Sequence, residues 1–160
     1  MKKELIIVVV LIIAIILVDF LTHNYTKTSF GKMNDELEKI KEISKNIEEN
    51  SKQEENSGVK VNIEENNQEA EKQQKDETIN KQQELQEKIK IMEDDWKNIN
   101  KKTAYYIEHD ELEKVNASIV KFKSYIQLEE YTEAIPELEN CKYILNHIRE
   151  KEEMKIINLF

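Results

Sequence analysis

Fourteen aliphatic residues in unbroken succession, LIIVVVLIIAIILV at positions 5–18, constrain this chain more than any other stretch. Phe20 and Leu21 carry the run past Asp19, so residues 5–21 read as one apolar segment of 17 positions. At the rise of an α-helix this is about 25 Å, the short end of a bilayer crossing. Each central Ile, Leu or Val favours insertion by about 0.3–0.6 kcal/mol, roughly 6 kcal/mol in all, against a cost of about 3 for a central Asp. Asp19 stands near one end, where its carboxylate reaches headgroups and water. Insertion wins, and the lipid bilayer becomes the first expected partner.

A cleaved leader would need small residues just after the apolar core. The sequence continues DFLTHNYTKTSFGK, whose only small cluster, Ser29-Phe30-Gly31, lies too far downstream, and no Cys follows for lipid attachment. The expectation is an uncleaved single-pass anchor in the cell membrane. Lys2 and Lys3 place a short tail, residues 1–4, in the cytoplasm and the remainder outside it, although Lys27 and Lys32 on the other flank oppose that bias. His23 reads as an interfacial residue.

Beyond the anchor the composition is that of helices, with two Gly and one Pro in 160 residues. Met33, Leu37, Ile40, Ile43 and Ile47 mark one face of an amphipathic helix over residues 33–48, capped by Asn34 or Asp35. Four turns do not persist alone in water, so this helix must pack on something. Residues 49–78, rich in Asn, Gln, Glu and Lys, predict a polar linker, flexible or partly helical. The alternation of Val59, Val61 and Ile63 is too short for a sheet without a partner strand.

Residues 79–160 then carry three seams. Leu85, Ile89, Met92, Trp96, Ile99, Thr103 and Tyr106 recur at alternating spacings of four and three. Leu112, Val115, Ile119, Phe122 and Ile126 resume the pattern, and Ile135, Leu138, Cys141, Leu145 and Ile148 make the third run, with Thr132 as cap and Pro136 near its start. Short connections force the three helices antiparallel. The expected fold is all-α: a transmembrane helix, an amphipathic helix, a polar linker and a three-helix bundle, four if the first amphipathic helix joins. Its core is expected around Trp96, Tyr106, Leu112, Phe122, Ile126, Leu138 and Leu145.

Net charge is −9 for the whole chain and stays −9 without the first 21 residues, which speaks against nucleic acid or an anionic membrane surface as a partner. The single Cys141 permits no internal disulfide and no thiolate zinc site. No Gly-rich phosphate loop or nucleophile elbow occurs. The sequence calls for no cofactor and no enzymatic activity.

The segments WKNINKKTAYYIEHDELEKVNASIVKFKSYI and EAIPELENCKYILNHIREKEEMKIINLF resemble a bacterial family described as domain of unknown function 4363. The likeness runs through Trp96, the corner His109-Asp110-Glu111-Leu112-Glu113, Ser118, Tyr125, Ile126, His147, Ile148 and the closing Ile157-Asn158-Leu159-Phe160. It implies a hydrophobic anchor followed by a small helical domain, in a membrane-associated protein of spore-forming anaerobes and their relatives, and implies no known activity. The polar stretch around residues 50–78 departs from the compact pattern and reads as an insertion.

YYIEHDELEKV, residues 105–115, is the one stretch dense in chemistry-bearing side chains. As structure, Asp110 caps a new helix with Glu113 completing a capping box, and His109 donates to the carbonyls of the preceding helix. As function, an up-down-up bundle brings His109 and His147 to one pole beside Asp110 and Glu150, a set that could bind zinc or iron or change charge near pH 6. Two functions follow as expectations. The bundle is an interaction or scaffolding module that self-associates or docks on another membrane protein. Alternatively, it is a metal- or pH-responsive sensory accessory built on the His109/His147 pole.

Overall fold

One helix, α1 (Lys2–Ser57), runs without interruption from the apolar segment into the folded domain. In this computed structural model the backbone is described for residues 2–57 and 67–157, and the side chains for 2–52 and 77–154. Three further helices follow: α2 (Asn67–Thr103), α3 (His109–Gln127) and α4 (Tyr131–Ile157). Among the described residues there is no strand. Residues 22–32, expected to separate anchor from amphipathic helix, are helical because nothing in them breaks a helix. They hold no Pro, and the Thr22 and Thr26 hydroxyls donate back to the carbonyls of Asp19 and Thr22 at 2.9 and 3.0 Å.

The two halves of α1 live in different surroundings. Every described side chain from Lys2 to Leu21 is exposed, and α1 is long and apolar enough there to cross a membrane. From Thr26 onward one stripe is buried: Thr26, Phe30, Met33, Leu37, Ile40, Ser44 and Ile47. These recur at four and three, so the heptad seam begins seven residues before Met33. Ser44 occupies the seam position expected of Ile43, which is only partly buried. The Ser44 hydroxyl donates to the Ile40 carbonyl at 2.9 Å and needs no other partner.

The seam makes α1 a full member of a four-helix bundle, up-down-up-down. It lies against α2 on one side and α4 on the other, and α3 packs along α4. The α1–α4 register is fixed by a row of polar pairs: Lys27–Glu153, Asn34–Asn146, Glu38–Lys142, Lys41–Glu139 and Thr132–Glu48. The residue numbers of every pair add to 180, as an antiparallel pairing without slip requires. Positions 27, 34, 41 and 48 are also spaced by heptads, so one edge of α1 carries the whole ladder.

The core holds all the expected residues except Tyr106, which is half-buried. Ile107, 4% exposed, fills its place, because α2 ends at Thr103 and the turn after it advances the register by one residue. In α4 the seam opens with buried Tyr131 and Ala134, while Ile135 is half-buried. Thr132 lies inside α4 and donates to Glu48 of α1 rather than capping. Of the stretch 49–78 expected as linker, residues 49–57 continue α1 and 67–78 open α2. The Val59, Val61, Ile63 alternation and the closing Asn158, Leu159 and Phe160 lie outside the described residues.

Candidate functional site

The chain reverses between α2 and α3 because Ile107 must enter the core while Glu108 adopts extended backbone, φ −60° and ψ 132°. Glu108 is therefore the N-cap, with its carbonyl accepting from the amides of Glu111 and Leu112 at 3.1 and 3.3 Å. This corrects the expected cap at Asp110, which stands one residue inside α3. There Asp110 and Glu111 complement the positive end of the helix dipole. The expected capping box is absent as well, since Glu113 pairs with Nε2 of His109 at 3.0 Å. His109 is the first residue of α3, not the last of the preceding helix.

The Glu108 and Glu111 carboxylates converge on one cation, the Lys151 ammonium of α4, each at 2.9 Å. Glu111 is 8% exposed, so its charge is largely withdrawn from water. Glu111, then Glu108, hold the Lys151 ammonium protonated and push its pKa up to about 12. His147, one turn before Lys151, is exposed and stacks on Tyr143, with ring centroids 6.4 Å apart and planes inclined by 13°.

Topology thus puts His109 and His147 in the same half of the bundle without joining them. His109 turns to Glu113, His147 to Tyr143, and Asp110 and Glu150 face solvent. Among the described residues no three His, Cys, Asp or Glu side chains are placed to hold a metal ion. The group that gathers carboxylates at this pole is an amine from α4.

Several other buried polar groups have structural partners. The Thr103 hydroxyl donates to the Ile99 carbonyl at 2.9 Å, and Ser118 receives a hydrogen bond from Asn140 at 2.7 Å. The indole N–H of Trp96 donates to Asn116, tying α2 to α3, and its ring meets Phe30 of α1 at 6.3 Å. Among the described residues four buried side-chain atoms lack a hydrogen-bond partner, on His23, Asn34, Glu36 and Glu137, and of these residues Glu36 has a shifted pKa. Its Oε2 is buried without a hydrogen-bond partner among the described residues, and burial, then the Asp95 carboxylate opposite, raises its pKa. It borders a hollow of about 200 Å³ with Lys39, Ile40, Lys88 and Ile91. Burial also pushes the Cys141 thiol up to about 12, which leaves it inert as a nucleophile.

At the opposite end, away from the apolar segment, lies a concavity missed by sequence reasoning. About 470 Å³ opens between α2 and the α3–α4 turn, lined by Gln82, Gln83, Gln86, Ile126, Gln127 and Tyr131 among others. Ile79 at its rim is 43% exposed and Leu128, on the adjoining turn, 66%. The signal available was the QQELQ run at 82–86, which wraps seam residue Leu85 in amide side chains. The floor turns at Glu129, whose φ of 59° is left-handed. Its amide donates to the Ile126 carbonyl at 3.1 Å and that of Glu130 to Tyr125 at 2.9 Å, the two bonds of a Schellman ending.

Comparison with protein families matches residues 56–159 to a model described as "Domain of unknown function (DUF4363)". The match takes in α2, α3 and α4 and leaves out the apolar segment and almost all of α1. Comparisons with curated proteins and with solved structures gave no match.

Proposed function

Because the chain belongs to the DUF4363 family, whose description assigns no activity, its role has to come from its own geometry, and we propose a membrane-anchored docking module. The observation that supports this is α1, which is at once the candidate membrane span and a core-forming member of the bundle. Such a helix fixes the bundle to the lipid surface at a set height and rotation, which suits presentation of a binding face. Lys2 and Lys3 orient the short tail to the cytoplasm and the bundle to the outside of the cell membrane.

The face presented is the outward end. Its glutamine-lined concavity, flanked by Ile79 and Leu128, offers amide donors and acceptors beside apolar contact, the mixture found in reversible protein interfaces. The partner is a second membrane protein or another copy of the chain. A photo-crosslinking residue replacing Gln83 in intact membranes, at native expression, should trap one defined adduct, and the same residue at Lys97 should not. Monomer alone from the Gln83 position refutes the proposal.

A further inference from the structure

The end of the bundle nearest the apolar segment has its own unassigned surface. Tyr105, at the α2–α3 turn, is 88% exposed, the most exposed large hydrophobic side chain among the described residues. Beside it stand exposed Lys101 and Lys102. The Lys102 ammonium lies 5.0 Å over the ring of Tyr25, which belongs to α1 only four residues beyond Leu21. The neighbouring Tyr106 hydroxyl shares a hydrogen bond with buried Thr26 at 2.9 Å.

These contacts set a height. Tyr25 and Thr26 lie about 6–7.5 Å along the helix axis from the last apolar residue. The headgroup layer on one side of a bilayer is roughly 5–7.5 Å thick. The turn is tied to α1 at that level, inside the layer where tyrosine rings concentrate and lysines meet lipid phosphates. Of the acidic groups here, Glu108 is paired with Lys151 and Glu113 with His109, Asp110 is exposed beside them, and Glu152 of α4 faces Tyr106.

We propose that the α2–α3 turn is a foot resting in the lipid headgroup layer, with Tyr105 as its contact and Lys101 and Lys102 beside phosphate. This rests on the membrane-anchored reading and adds a second attachment to it. Two attachments, one through the span and one through the foot, hold the bundle upright.

The test uses the full chain in phosphatidylcholine vesicles with bromine near the top of the acyl chains. Trp96, 4% exposed in the core, supplies a constant background. Tyr105→Trp should add emission that is blue-shifted in plain vesicles and lost in brominated ones, whereas Leu128→Trp at the far end should add emission that bromine leaves unchanged. Tyr105→Trp emission untouched by bromine, in chains that float with the vesicles, overturns the foot and spares the anchor. Quenching at both positions overturns it too, since the bundle then lies flat. Chains that fail to float overturn foot and anchor together.

Discussion

Replacing Phe30 by Ala separates a four-helix bundle that includes α1 from a three-helix bundle merely tethered to it. Phe30 is fully buried and meets Trp96 of α2 edge-inclined, at 51° between ring planes. Truncating such a ring removes its transfer free energy, leaves a cavity and abolishes the aromatic pair, about 3–5 kcal/mol together. For a bundle of this size each kcal/mol moves Tm by about 4 °C, so the drop should be roughly 12–20 °C. Phe20→Ala is the internal control. Phe20 lies on the same helix ten residues earlier, 64% exposed and outside the bundle. Helical melting in detergent micelles, followed by circular dichroism, reads both. A Phe30→Ala chain that melts with the parent, within a degree or two, would refute the membership of α1 in the core.

Four other outcomes are expected. Gly31→Ala should raise stability by about 0.5–1 kcal/mol, since Gly31 sits inside α1 and an added Cβ would meet nothing within 4 Å; thermal melting checks it. Glu129→Gly should also stabilise, by about 0.5–1 kcal/mol, because the left-handed conformation that costs a side-chain-bearing residue is free to glycine. Glu36 has a raised folded pKa, so the penalty of its buried charge is full above that pKa, eases as pH falls through it, and is gone below the ordinary 4.5. Glu36→Gln should therefore raise Tm at pH 7 and erase the gain that the parent shows on mild acidification. Cys141, 1% exposed, should resist a membrane-impermeant thiol reagent in the folded chain and react from outside the cell only after mild denaturation.

The helices α2, α3 and α4 were legible from periodicity, because their seams consist almost wholly of large apolar residues. The continuity of α1 was not, because its seam crosses Thr26 and Ser44. A hydrophobic count passes over hydroxyl residues, yet each satisfies itself on a carbonyl four residues back and packs like a small apolar group. Reading Thr26 and Phe30 as seam would have extended the heptad to the edge of the apolar segment. The corner was misread for a related reason. Asp110 is the better capping residue by type, but the place of the turn is decided by which aliphatic side chain enters the core, and that is Ile107. The candidate ligands stay apart because His109 turns to Glu113 and His147 stacks on Tyr143, while Asp110 and Glu150 face solvent, and spacing alone does not show which neighbour a side chain takes.

In the membrane-anchored reading proposed above, a single unbroken α1 also acts as a lever. From Thr22 to Lys52 the shaft outside the apolar segment is about 45 Å long. Spans tilt to match the local hydrocarbon thickness, and a change of 10° would sweep the far tip through about 8 Å. Staves locked to that shaft in one register have no joint at which to absorb the swing. Variation in bilayer thickness would then be converted into displacement of the outermost surface, as a pointer registers on a dial.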